Sequence, residues 1–275
     1  MLFRRGWIIG SVLSIWLSFF IYAEAGNTFI QKDWQDSLPI SLTKDNPEEP
    51  KTHTGAPRAL DLSRTSAVKV ERPDEDGYGS GAYMKMYGYH VVITAAHVVD
   101  NFSNVLIHGR DGEIVLGRVL IKSLIDDYAI IQVPQLKTRK PINYRPQKEH
   151  DLVGTDVVYS GYPNKYDLLT ITGRVAGAVG QDDRLIVHSY GWMGASGSGL
   201  FDYAGRFVGI VVAVDVASFD YYSPQIVEDL IWVVPSWKLD EEMIKVRLKL
   251  SDKEQWPKMK QIPGAPSPRR GGLPD

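Results

Sequence analysis

The chain has 275 residues, room for one large domain or two small ones, and its 44% hydrophobic and 23% charged content is that of an ordinary globular protein. A formal net charge of −2 gives no strong electrostatic pull toward nucleic acid. The chain has no cysteine, which excludes a disulfide framework, a thiol nucleophile and cysteine-ligated zinc.

Arg4 and Arg5 precede an apolar run over residues 6–22, and Ala23, Glu24 and Ala25 then make a small-x-small site. This layout predicts a secretory signal cleaved after Ala25. The alternative is an uncleaved membrane anchor, since the run is at the short edge of what spans a bilayer. On either reading the bulk of the chain is exported, to the periplasm or the medium, with membrane association only through residues 6–22. Residues 26–66 are polar, contain Pro39, Pro47, Pro50 and Pro57 and sustain no periodicity, so they read as a linker. Asp74, Glu75 and Asp76 read as a solvated turn, because three carboxylates without a calcium-loop spacing do not make a calcium site.

From residue 77 the pattern becomes short strands separated by turn residues. Residues 79–83 and 89–94 form a predicted hairpin about Tyr87 and Gly88. Residues 105–108 and 114–120 flank Asp111 and Gly112, a strong turn signal. Residues 129–133, 157–160, 168–175, 185–189, 207–214 and 231–234 continue the series. Such spacing predicts an all-β antiparallel barrel or sandwich and argues against βαβ units. One helix is predicted near the end, with Ser236 as cap and Leu239, Met243, Ile244 and Val246 as its apolar side. The proline-rich residues 251–275 read as a disordered tail.

Three polar residues stand at the ends of apolar strands or among small residues. His97 lies in Thr94-Ala95-Ala96-His97-Val98-Val99, Asp127 opens Asp127-Tyr128-Ala129-Ile130-Ile131, and Ser196 lies in Gly194-Ala195-Ser196-Gly197-Ser198. Taken singly, His97 would be a core histidine, Asp127 a turn residue and Ser196 a loop serine. Together they carry one chemistry. A serine hydroxyl is a poor nucleophile until an imidazole accepts its proton, and a carboxylate on the other ring nitrogen holds the tautomer and stabilises the imidazolium. Glycines around Ser196 let a carbonyl approach backbone N–H groups, so Gly194 and Ser196 are the predicted oxyanion donors. His90 and His97 have no third ligand nearby, so no metal is predicted, nor any cofactor. The motif around Ser196 is not Gly-x-Ser-x-Gly and the order is His, Asp, Ser, both against an α/β-hydrolase.

These motifs resemble those of trypsin-like serine endopeptidases of chymotrypsin fold, most of all the Deg/HtrA type without a PDZ domain. Gly79-Ser80-Gly81, Gly161-Tyr162-Pro163-Asn164 and Ile231-Trp232-Val233-Val234-Pro235-Ser236 add to the match, which covers roughly residues 77–250. The resemblance implies two antiparallel six-stranded β-barrels followed by a helix, within a protease domain over residues 67–250. It puts His97 and Asp127 on the first barrel and Ser196 on the second. It also implies that Tyr190 lies near the base of the primary pocket and that Val212, Ala213 and Val214 form a wall, with Val214 narrowing it toward small or medium apolar side chains. His188 is assigned a structural role.

Two positions depart from the pattern. Ala195 stands where trypsin has an aspartate that pairs with a freed N-terminus, so activation by that ion pair is not expected. Ser198 replaces a glycine, tolerable unless it must take a positive φ. The function implied is an exported serine endopeptidase acting on protein or peptide substrates through an acyl-enzyme. The alternatives are a catalytically silent binding or scaffold protein of the same fold and an esterase using the same triad.

Overall fold

The structure is a computed structural model that describes residues 56–73, 77–179, 183–218 and 224–253. The predicted signal, the first part of the linker, the acidic turn at Asp74, Glu75 and Asp76 and the tail beyond residue 253 lie outside the described residues. Among the described residues no helix is long and apolar enough to cross a membrane.

The elements run in chain order as helix α1 (Ala56–Ser66), strands β1 (Ala67–Glu71), β2 (Tyr78–Met86) and β3 (Tyr89–Thr94), the single turn of helix α2 (Ala96–Val99), β4 (Asn104–His108), β5 (Ile114–Ser123), β6 (Tyr128–Gln132), β7 (Ile142–Asn143), β8 (Asp156–Gly161), β9 (Leu169–Val179), β10 (Arg184–Ser189), β11 (Gly199–Asp202), β12 (Phe207–Ser218), β13 (Pro224–Pro235) and helix α3 (Glu241–Lys253). They form two barrels. In the first, the order β1-β4-β5-β6-β3-β2 closes through a β1–β2 pairing, and the two-residue β7 adds parallel to β2. In the second, β10-β13-β12-β11-β8-β9 closes on itself. The two six-stranded antiparallel barrels and the C-terminal helix expected from the motifs are therefore present.

The local causes are visible in the sequence. Tyr87 and Gly88 both have positive φ (50° and 93°), as do Asp111 and Gly112 (51° and 77°), which suits two-residue hairpin turns. β10 alternates partly or fully exposed and buried residues, with Leu185, Val187 and Ser189 inward, the period a closed barrel needs. Register shifts in the β5–β6, β9–β10 and β12–β13 pairings supply the bends that closure requires.

The barrels meet along small residues. A Cβ on Gly199 would lie 2.7 Å from that of Ala82, and one on Gly161 would lie 2.1 Å from Ser198 Oγ and 2.7 Å from Ser80 Oγ. Small side chains on β2 thus let the backbones of the two barrels approach closely. Beside this seam Phe201, Phe207 and Tyr144 form an aromatic chain, with centroids 5.7 and 6.5 Å apart.

Two helices differ from the sequence reading. Helix α1 lies in the stretch read as polar linker. Its buried residues are Ala59, Ser63 and Ser66, small and mostly hydroxylic, so the buried face left no apolar periodicity to detect. Helix α3 starts later than predicted, with Asp240 Oδ1 accepting the Met243 N–H at 2.9 Å as its cap, while Ser236–Lys238 form a separate 3-10 turn. Its apolar stripe is Ile244 and Leu248, both fully buried, with Ser251 continuing the spacing, whereas Met243 and Val246 are exposed.

Candidate active site

Helix α2 follows β3 directly, so His97 stands one turn beyond the edge of the first barrel. Asp127 sits at the start of β6 with φ of 57°, a left-handed conformation that aspartate tolerates better than most residues. The twist aims its carboxylate at His97. Asp127 Oδ1 accepts the His97 backbone N–H at 3.0 Å, and Oδ2 lies 2.8 Å from His97 Nδ1. A carboxylate can only accept here, so Nδ1 carries a proton, and in the neutral ring Nε2 holds the lone pair.

Ser196 comes from the second barrel, on the loop between β10 and β11. Its carbonyl accepts the Ser80 N–H at 2.8 Å, and the Gly194 carbonyl accepts Ser80 Oγ at 2.7 Å. A Cβ added to Gly79 would meet both Val98 Cγ2 (2.5 Å) and the Ser196 carbonyl (2.9 Å). Gly79 is thus the wedge against which the histidine helix and the serine loop both pack. The Ser196 hydroxyl is directed to the Val212 carbonyl at 3.5 Å. No hydrogen bond joins it to His97, a bond that in such sites commonly tightens only when substrate is bound.

The loop before Ser196 has its peptide planes set one by one. Asn164 donates its N–H to the Met193 carbonyl at 2.7 Å, and Ser198 donates its N–H to the Ala195 carbonyl at 3.0 Å. A planar trans peptide points its N–H opposite its C=O, so these two bonds fix where the Gly194 and Ser196 N–H groups aim. Neither N–H donates to a protein acceptor among the described residues. Gly194 has φ of 94°, and a Cβ there would lie 2.5 Å from the Tyr162 carbonyl. Gly197, at φ of 88°, would bring a Cβ to 2.1 Å from Ser80 O. Both positions therefore require glycine.

The remaining predicted residues divide. Val212 is buried, Val214 half-buried and Ala213 exposed. Val214 and Ile231 fill the space over Gly191, where a Cβ would meet their side chains at 2.7 and 2.4 Å. Tyr190 is about half-exposed and stacks on Trp192 with centroids 6.2 Å apart. It lines a polar surface hollow of about 360 Å³ together with Asp156, Arg174, His188, Tyr203 and Asp229. That hollow includes neither His97, Asp127 nor Ser196. His188 is exposed on it and lies 3.7 Å from Asp229.

Residues 79–210 match the family model described as a trypsin-like peptidase domain. The match covers just under half of the chain. Solved structures share its fold. The inactive form of Rv3671c from M. tuberculosis, as a serine-to-alanine mutant, has a TM-score of 0.54 at 21% identity, covering 75% of this chain and 96% of that one. A serine endoprotease from Yersinia pestis has a TM-score of 0.51 at 18% identity, covering 75% of this chain and 67% of its own. Comparison with curated proteins returned no match.

Several residues that build the peptidase domain's serine loop were visible only as motif members with no role attached. Ser80, Tyr162 and Asn164 are the main ones. A signal for Asn164 did exist: an asparagine directly after proline suits the left-handed turn it adopts (φ 48°, ψ 40°).

The tautomer set by Asp127 is directly measurable. In nitrogen NMR of the neutral-pH protein, His97 should show a protonated Nδ1 and an unprotonated Nε2. Asp127→Ala should move it toward the opposite tautomer. A predominantly Nε2-protonated ring in the unaltered protein would contradict the assigned geometry.

Proposed function

We propose that the protein is an exported serine endopeptidase that hydrolyses protein or peptide substrates with His97, Asp127 and Ser196 as its catalytic residues. One observation carries the reading. An imidazole held on Nδ1 by a carboxylate presents a free Nε2 beside a serine loop whose Gly194 and Ser196 N–H groups are unengaged. The Ser196 side chain is held only by a 3.5 Å contact to the Val212 carbonyl, which costs little to break and leaves it free to rotate during the reaction.

In the reaction, Ser196 Oγ attacks the scissile carbonyl while its proton passes to His97 Nε2. The carbonyl oxygen becomes an oxyanion and accepts from the Gly194 and Ser196 N–H groups, each such donor being worth roughly 3–4 kcal/mol of barrier. Collapse breaks the C–N bond, and Nε2–H protonates the departing amine. Water then enters, gives its proton to Nε2 and cleaves the ester, which returns the proton to Ser196 Oγ. Asp127 remains ionised and holds the ring throughout.

Export is supported by Arg4, Arg5, the apolar run over residues 6–22 and Ala25. Substrate preference follows from the filled space over Gly191: with Val214 and Ile231 closed on it, only a small or medium apolar side chain fits before the cut bond. The competing reading, a silent binding protein of the same fold, is favoured by the bond of Ser196 to Val212 instead of His97.

A fluorophosphonate probe separates the two. The protein should be labelled covalently, and Ser196→Ala should lose labelling and casein degradation while keeping its melting transition. Asp127→Asn should slow turnover on the order of 10⁴, since an amide supports the wrong tautomer. Absence of labelling in the unaltered protein would favour the silent reading. In a peptide library, cleavage should follow Ala, Val or similar residues. A profile dominated by Arg or Lys would rule out the pocket assignment.

A further inference from the structure

Arg139 is 5% exposed, and among the described residues its hydrogen-bond partners are a carbonyl and a hydroxyl, with no carboxylate. Burial lowers its pKa, yet guanidinium remains charged in proteins. A buried, unpaired cation is costly and calls for a reason. Its partners supply one, because they come from two separate parts of the fold. One guanidinium nitrogen donates to the Arg64 carbonyl at 2.9 Å, and the other donates to the Tyr162 hydroxyl. Nε has no partner.

The Arg64 carbonyl lies in the last turn of α1, where helical carbonyls lack intrahelical donors and the dipole favours a cation. Lys140 N–H takes the next carbonyl, that of Thr65, at 3.0 Å. Residues 139 and 140 thus cap α1. The helix is also pinned to the second barrel by Ser63 Oγ on Ser160 Oγ (2.7 Å) and Arg64 on Thr170 Oγ1 (2.6 Å).

From Tyr162 the path continues to the serine loop. The Tyr162 N–H donates to Ser80 Oγ at 2.9 Å, and Ser80 Oγ donates to the Gly194 carbonyl. Two residues on, Asn164 holds the Met193 carbonyl. The Tyr162 ring therefore anchors the segment that orients the Gly194 N–H.

We infer that Arg139 is a positioning residue for the oxyanion loop, through which the docked helix α1 sets the direction of the Gly194 N–H by way of Tyr162 and Asn164. The inference rests on the proteolytic reading above. It assigns to neutral hydrogen bonds and one buried guanidinium the orienting task that the missing aspartate at Ala195 cannot perform.

The test uses the full chain with Tyr162→Phe, which keeps the ring and removes only the hydroxyl, and Arg139→Met, which keeps the bulk and removes the fork. Both are compared with the unaltered protein at a temperature well below their melting transitions. Tyr162→Phe should acylate roughly tenfold more slowly, as expected for one lost charge-assisted bond. Arg139→Met should be slower by roughly a hundredfold, approaching the loss of one oxyanion donor. In both, kcat should fall while KM holds, because the oxyanion exists only after attack. A peptide boronate should lose affinity in the same proportion as kcat. If Arg139→Met does not fold, Tyr162→Phe decides alone. Folded variants that acylate at the unaltered rate, with only a lower melting temperature, would overturn the inference and leave the proteolytic reading standing. An unaltered protein that is never labelled would overturn both. Ser63→Lys, which forces a charge into the α1 seam, should slow acylation too, and its effect should not multiply with that of Arg139→Met. Fully multiplicative effects would remove α1 from the path.

Discussion

Ser80 is the residue through which the two barrels are locked together at the site. It lies on β2 of the first barrel, yet its N–H and hydroxyl both serve the second, binding the Ser196 and Gly194 carbonyls. Its own carbonyl is held by Thr94 Oγ1 at 2.7 Å, at the end of the strand that leads into His97. One serine thus links the strand that leads into His97 to the loop that carries Ser196. The link is possible because glycines on either side, Gly79 and Gly197, let the backbones meet without intervening side chains. A larger residue at Ser80 would have to displace Gly161, whose Cα already faces the hydroxyl.

Charge plays a small part in shaping the serine loop. Ala195 is buried in the core of the second barrel, where a carboxylate would have to give up its hydration. The peptide planes are instead set by backbone and hydroxyl donors from Asn164, Ser198 and Ser80. Ser198 fits because it avoids a positive φ, which falls on Gly197. Its hydroxyl is buried against Gly161 without a partner, a local cost of replacing glycine there.

Much of this was legible in the chain. Strand periodicity and the two glycine turns located most elements, and the motifs at His97 and Asp127 marked two residues that the fold hydrogen-bonds together, because those features depend on local residue type. What escaped detection depends on surfaces meeting through space. α1 buries alanine and serine, which carry no hydrophobic period. The cap of α3 is Asp240 in place of Ser236 because Pro235 and the 3-10 turn delay the helix, as Tyr128 Oη fixes the Asp240 N–H at 3.1 Å. Arg139 reads as an ordinary surface cation until the inter-barrel linker folds it between α1 and Tyr162.

The proposed reaction needs serine-loop amides aimed at the place where negative charge develops. A crystal structure of the protein with a bound peptide boronate examines this at the atoms concerned. The account predicts a bond from Ser196 Oγ to boron, one boronate oxygen within about 2.7–3.1 Å of both the Gly194 and Ser196 nitrogens, and His97 Nε2 within hydrogen-bonding reach of the adduct. A boronate held without a bond to Ser196, or a Gly194 N–H turned away from it, would contradict the account.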